Sequence, residues 1–440
     1  MAFLCRNVND AFRCLVQYVR DSDRDLRSTV VRTSSRVGDV IQIVEPTIIT
    51  YQRPMERVLF NESRDANPFF HLFEALWMLA GRNNVAPLAY YSSNIAEIAS
   101  DDGKTFNGAY GYRWRHAVHG VGQKGNAWYG GTIQDHRDEV DQLRILIDHL
   151  KKKPDSRRAV LQMWNVEDDL LKVEATKDVC CNTCVYFLLR DDGVCNRDHS
   201  HPACVCANKG HNCLKLDMTV CNRSNDLVWG ALGANAVHFA FLLEYMAAQI
   251  GVAPGLYHQF TNNLHCYTAP NRWEPEKWIE DLTPDYYGGG EIRADGYAYQ
   301  VRPFPLVDDP ALFDAEVVEF VNYHIGEGAA CSHDYHEPFI KNVAWPAACA
   351  FRSHKARDYS GALRWCGEIE AGDWRIECTR WIQRRRARFQ TMKEGANPYL
   401  VNELERRKAE GLPITQAQHA TEKRGDYAER EEGFWTGGAE

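Results

Sequence analysis

Residues 235–251, NAVHFAFLLEYMAAQIG, read as one long apolar helix closed by Gly251. A helix that is apolar on nearly every side belongs inside a core, so other elements have to be wrapped around it. Upstream, CNTCVYFLLR (181–190) and LKLDMTVCNRS (214–224) alternate like two paired antiparallel strands, with a Cys/His-rich insertion between them. ANPFFHLFEALWMLAG (66–81) has apolar side chains at helical spacing, ends in Gly81 and carries one acid, Glu74. A helix also fits residues 132–156, stopped by Pro154, after which RRAVLQMWNV switches to a strand pattern. That junction carries Arg157 and Arg158. Beyond residue 310 the pattern is helical and increasingly charged, and from 392 it is a polar tail. The expectation is an α/β (α+β) protein with one main core. It spans 1–310 with an insertion at 191–213, adds a helical part over 311–391, and ends in a polar charged tail over 392–440.

The 440 residues are 45% hydrophobic and 25% charged, enough for a large core. A formal net charge of −9 argues against a dedicated polyanion binder, so small molecules rather than nucleic acid are the expected partners. At the N-terminus Arg6, Asp10 and Arg13 interrupt every apolar run, which excludes a secretory signal core, and no window is expected to reach transmembrane length. No membrane partner and a cytoplasmic location are therefore expected. Fifteen cysteines in a reducing compartment are poor disulfide candidates, yet Cys180, Cys181, Cys184, Cys195, Cys204, Cys206, Cys213 and Cys221 share one short region. Four thiolates, Cys195, Cys204, Cys206 and Cys213, suffice for a tetrahedral structural zinc site in the insertion; the other reading is a flexible reduced loop.

Seven separated segments carry a resemblance: VRTSSRVG (31–38), HLFEALWMLAG (71–81), FNGAYGYRWR (106–115), PDSRRAVLQMWN (154–165), DVCCNT (178–183), NRSNDLVWGALGANAVHF (222–239) and NNLHCY (262–267). In order and approximate spacing they resemble the thymidylate synthase family, especially its phage-type and hydroxymethylase branches. DW (373–374) and WIQRRR (381–386) extend the likeness to about 390. The resemblance implies the thymidylate synthase fold, a mixed sheet flanked by helices, here with a Cys/His-rich hairpin insertion and a helical C-terminal extension. It also implies transfer of a one-carbon unit from 5,10-methylenetetrahydrofolate to C5 of dUMP. C5 of uracil is a poor nucleophile until a thiolate adds at C6, so one cysteine is indispensable.

By the CNT register that nucleophile falls on Cys181, while Cys184 and Cys180 read as small buried strand residues. Arg32, Arg157, Arg158, Arg223 and Ser224 match the family's phosphate-binding positions, and Arg223 would also approach the thiolate. The tandem pair reaches across from a second subunit in that family, which implies a homodimer with shared arginines. Asn235 matches the amide that reads O4 and N3–H of uracil, although between Gly230 and Asn235 this chain holds one residue more than the common pattern; a second reading makes Asn235 the N-cap of the following helix. Glu74 matches a proton relay and Tyr110 a group that helps the C5 proton depart. His265 and Tyr267 match ribose contacts, and Asp226 and Gly230 match the folate-binding positions.

Three departures bear on the product. Where family synthases place two tryptophans that shield the exocyclic methylene, this chain has Ile95 and Ile98. Asn182 follows the nucleophile where histidine is usual, and the C-terminal GFWTGGAE does not resemble a tail that closes over folate. Water capture, giving 5-hydroxymethyl-dUMP, is thus favoured over hydride transfer. Thymidylate synthase is the alternative, a dCMP hydroxymethylase the third reading, and a non-catalytic nucleotide-binding homologue the reading from another class.

Overall fold

The computed structural model describes residues 1–35, 38–99, 103–120, 137–174, 178–191, 214–269, 272–281, 296–326 and 334–393. Its strands are β1 (Ala2–Cys5), β2 (Val30–Ser35), β3 (Gly38–Ile43), β4 (Thr47–Tyr51), β5 (Ala117–Gly120) and β6 (Arg137–Val140). They continue as β7 (Val160–Gln162), β8 (Asn182–Asp191), β9 (Leu214–Asn222), β10 (Asn225–Asp226), β11 (Ala253–Thr261) and β12 (Leu264–Tyr267). The main sheet runs β1-β4-β11-β9-β8-β7 and a second runs β10-β12-β3-β2. The main sheet is mixed: β1–β4 and β11–β9 are parallel, and its other pairs are antiparallel.

Alternation along the strands decides which face is core. In the β8–β9 register Val185, Phe187 and Leu189 oppose Val220, Met218 and Leu216, and all six are buried. Ile49, Tyr51 and Tyr257 carry that inner face across β4 and β11. The outer face is mixed: beside Lys215, Thr219 and the Arg190–Asp217 ion pair, Leu4, Ile48, Val160, Tyr186 and Leu188 stand 36–68% exposed on it. Both long strands expected from the pattern form and pair as expected.

The Asn235–Ile250 helix lies on the inner face and buries Phe239, Phe241, Leu242, Leu243 and Tyr245 almost completely. Each such side chain contributes roughly 1.5–3 kcal/mol of burial. Gly251 ends the helix in a left-handed conformation at φ +89°, which a side chain would strain. The Pro68–Leu79 helix packs beside it, capped by Asn67, whose side chain accepts from the amide of Phe70. The C-terminal helices Pro310–His324, Trp345–Lys355 and Gly372–Lys393 pack in turn on Pro68–Leu79.

Two expectations need correction. The helix expected over 132–156 is confined to Gln142–Lys152: Asp141 caps it by accepting from the amide of Arg144, and Arg137–Val140 pairs with β5 instead. Residues 121–136 lie outside the described residues. Among the described residues one segment, Leu227–Ile250, is long and apolar enough to cross a membrane, because a wide helical turn over Leu227–Ala234 extends the apolar helix. In the fold 78% of that window is buried, as a core helix requires.

Candidate active site

Cys181 sits where the chain enters β8, and the segment around it is clamped from three sides. Asp169, fully buried, forms a two-pronged ion pair with Arg113 and accepts from the backbone N–H groups of Cys180 (3.2 Å) and Asn165 (2.9 Å). Asp178 accepts from Gly108 N–H at 2.8 Å, and Asn107 donates to the Asp178 carbonyl at 3.0 Å. The FNGAYGYRWR segment thus docks onto the residues preceding the thiol. Below it, the buried Asn182 donates to the Cys221 carbonyl on β9 at 2.9 Å.

Arg223 supplies the third contact. Its N–H donates to the Cys181 carbonyl (2.9 Å), and its guanidinium donates to the carbonyls of Val179 (2.9 Å) and Cys180 (3.0 Å). These bonds hold Nη2 at 3.7 Å from Cys181 Sγ, so a fixed cation faces the thiol and favours its thiolate. The neighbouring thiol is unsuited. Cys180 is 1% exposed, donates to the Asn182 carbonyl, and is pushed far above the usual thiol range by burial, with the nearby carboxylates and Cys181 adding to it. Cys184 faces Cys221 across the β8–β9 pair on the outer side of the sheet. Tyr110 opens the Tyr110–Arg115 helix; burial, then the charges of Cys181 and Cys180, hold its phenol well above the usual range, as a neutral hydrogen-bond donor.

Asn235 lies at the start of its helix, buried, with Nδ2 donating to Asn225 Oδ1 at 3.1 Å. It is not an N-cap, since the Leu227–Ala234 turn already runs into the helix and no side chain caps it. That turn has the π-helical i→i+5 pattern with a kink at Gly233, which accommodates the one extra residue between Gly230 and Asn235. Gly230 is required sterically: a Cβ there would lie 2.1 Å from Asn225 Oδ1.

Glu74 faces His238, with Oε2 and Nε2 3.1 Å apart and side chains 12% and 2% exposed. His238 went unrecognised in the sequence; the available signal was its i,i+3 spacing from Asn235, which puts both on one side of an apolar helix. His71 is driven down to about 3 by burial, with His238 and Arg64 adding to the effect, and is neutral.

Asp226 and His265 are register partners in the parallel β10–β12 pair. Asp226 accepts from Trp229 N–H through Oδ1, while its buried Oδ2 has no partner among the described residues. Burial raises its carboxyl, opposed by Trp229 N–H, His265 and Arg64. The Arg64 guanidinium, also unforeseen, is stacked 3.7 Å over the Trp229 ring. His265 and Tyr267 are in edge contact, and Tyr267 lies close enough to Cys181 for that charge to raise its phenol, after burial and Asp226. Ser224 is half-buried next to Arg223.

The remaining arginines are not gathered at the thiol. Arg32 is exposed and makes a two-pronged ion pair with Asp23 (2.8 and 2.6 Å). Arg157 and Arg158 are exposed at the start of edge strand β7, and neither guanidinium has a hydrogen bond or ion pair among the described residues. Ile95 packs partly buried against the core, whereas the Ile98 side chain lies outside the described residues. So do Cys195, Cys204, Cys206 and Cys213, the zinc candidates; among the described residues no group of three or more His, Cys, Asp or Glu is arranged to hold a metal. A cavity lined by Arg57, His71, Gly233, Val237 and Glu377 includes none of Cys181, Arg223 and Asn235 in its wall, so the site is defined by the thiol's surroundings.

Comparison with known proteins is consistent with this arrangement. The sequence profile described as thymidylate synthase matches residues 64–279. A deoxyuridylate hydroxymethyltransferase of Pseudomonas phage M6 is 38% identical over 373 residues, covering 83% of this chain and 91% of that protein. Proteins of the same description from Bacillus phage SP01 and Delftia phage PhiW-14 are 36% and 26% identical over 247 and 224 residues. The matched region covers 55% of this chain and 55% of the first, and 49% of this chain and 50% of the second.

Proposed function

From the premise that the chain belongs to the thymidylate synthase family, we propose that it is a deoxyuridylate hydroxymethyltransferase. It is a one-carbon transferase of pyrimidine nucleotides; the observation that carries nucleophilic catalysis is the Cys181 thiol held 3.7 Å from a pinned Arg223 guanidinium, and the finer reading is supported by the likeness to the phage M6 protein and by Ile95 and Ile98. Cys181 thiolate adds to C6 of dUMP, with the Asn235 amide reading O4 and N3–H, and Glu74 and Tyr110 moving protons at O4 and C5. Bound 5,10-methylenetetrahydrofolate supplies the one-carbon unit. Asp226 fits such a co-substrate, since its buried and unpartnered Oδ2 suits an N–H edge like that of the pterin. Gly230 keeps that segment in place by leaving room for Asn225.

After loss of the C5 proton and of tetrahydrofolate, water adds to the exocyclic methylene on C5 and the C6–Sγ bond breaks to return the Cys181 thiolate; aliphatic Ile95 and Ile98, in place of the shielding indoles, admit that water. Arg223, Ser224 and Arg32 receive the phosphate, with His265 and Tyr267 on the ribose. Arg32 would exchange Asp23 for the dianion. Arg157 and Arg158 reach the phosphate of a second copy, giving a homodimer in the cytoplasm. Support for the dimer comes from Leu4, Ile48, Val160, Tyr186 and Leu188 standing exposed on the outer face of the main sheet, with both arginines at its edge. Residues 1–310 and the helices to 391 act as one catalytic unit, with 392–440 appended.

The test is incubation of purified protein with dUMP and methylenetetrahydrofolate, following the folate by absorbance. Tetrahydrofolate released with 5-hydroxymethyl-dUMP supports the assignment. Dihydrofolate formed in step with dTMP would make the protein a synthase.

A further inference from the structure

A chain of three side-chain amides runs from a backbone carbonyl to the base-reading residue. Gln259 Nε2 donates to the Ala231 carbonyl at 3.0 Å, Asn225 Nδ2 donates to Gln259 Oε1 at 2.8 Å, and Asn235 Nδ2 donates to Asn225 Oδ1 at 3.1 Å. All three amides are buried: Gln259 is 0%, Asn225 5% and Asn235 8% exposed. A carbonyl can only accept, so Ala231 fixes which end of the Gln259 amide faces it. That choice presents Oε1 to Asn225 and therefore Oδ1 of Asn225 to Asn235. Reversing any one amide would set two donors or two acceptors against each other in a buried place, where an unmet polar group is costly. Gly230 keeps the middle link seated, since any Cβ there would drive into Asn225 Oδ1.

The polarity of Asn235 matters because uracil and cytosine are mirror images in hydrogen bonding at this edge. Uracil offers an acceptor at O4 and a donor at N3, and cytosine a donor at N4 and an acceptor at N3. A free asparagine amide reads either base by turning over. We propose that Asn225 and Gln259 are specificity-determining positioning residues: anchored on the Ala231 carbonyl, they lock the Asn235 amide in the orientation that accepts dUMP and rejects dCMP. This rests on the reading of Asn235 as the base contact.

The experiment measures Kd and kcat/KM for dUMP and for dCMP in Asn225→Ala, Gln259→Leu, Gly230→Ala, Asn225→Asp and Asn235→Asp, with thermal melts alongside. Asn225→Ala, Gln259→Leu and Gly230→Ala are expected to lower the dUMP-to-dCMP preference at least tenfold, by weakening dUMP and strengthening dCMP. Asn225→Asp, which still offers an acceptor to Asn235 Nδ2, retains the preference even if it melts lower. An equal fall for both nucleotides in Asn225→Ala and Gln259→Leu would reduce these residues to packing and overturn the proposal. Asn235→Asp tests the premise: if it leaves the preference unchanged, the base-reading role of Asn235 fails and the relay falls with it. A shift in Asn235→Asp without one in the other variants removes the relay alone.

Discussion

Asp169→Ala removes the residue on which the approach to Cys181 hangs. In the native fold Asp169 is fully buried, pairs both oxygens with Arg113, and satisfies the N–H groups of Asn165 and Cys180. Its loss leaves the Arg113 guanidinium, 11% exposed, without its carboxylate. Breaking one partner of a buried pair costs about 3–5 kcal/mol, which in a chain of this size lowers Tm by roughly 3–6 °C. The freed Cys180 N–H lies one residue from Cys181, so kcat is expected to fall about a hundredfold or more, as a displacement of order 1 Å at reacting atoms does. The effect has a pH signature. Burial raises the Asp169 carboxyl, but the Arg113 hydrogen bond and the two N–H groups outweigh it and leave the group below the usual carboxylate range. A depressed folded-state value contributes stability above the unfolded value of about 4 and loses it as pH falls through the folded one. The Tm gap between native protein and Asp169→Ala should therefore be widest near neutrality and close below about pH 4. A variant melting within about 2 °C of the native protein with unchanged turnover would refute the clamp.

Other outcomes follow from the same geometry. Cys181→Ala should abolish product while leaving dUMP binding largely intact, and Cys180→Ala and Cys184→Ala should turn over; a dead Cys180→Ala beside an active Cys181→Ala would reverse the assignment. Glu74→Gln and His238→Ala should each lower kcat, yet the double variant should be no slower than the worse single one, because His238 acts through Glu74; additive losses would separate them. Mixed with Cys181→Ala, an Arg157→Ala/Arg158→Ala protein should recover roughly a quarter of native activity, since half the dimers are mixed and hold one intact site. No recovery despite proven subunit exchange would exclude arginines shared across a dimer.

The core helix and the β8–β9 pair were legible because their apolar periods span ten or more residues, long enough to specify element and face together. The 132–156 helix misled because a helical composition does not mark where the helix begins: the Asp141 cap and the pairing of Arg137–Val140 with β5 set that start. Of the candidate site, Cys181, Arg223, Asn235 and Glu74 could each be proposed from motif register. Their supports could not. Asp169 and Gln259 come from other segments and act through hydrogen bonds that have no periodicity, while Asn225 and His238 lie in the same 222–239 stretch as Asn235 but show their contacts to Asn235 and Glu74 only once the chain is folded. For Gly230, expected as a folate-binding position, the fold adds that a Cβ would meet Asn225 Oδ1.

The origin of the new oxygen decides the hydroxymethyltransferase reading. When the reaction is run on dUMP with methylenetetrahydrofolate in oxygen-18 water, mass analysis of the nucleotide should find 5-hydroxymethyl-dUMP carrying one heavy oxygen, abolished in Cys181→Ala. A product that is dTMP, with no oxygen gained from solvent, would contradict it.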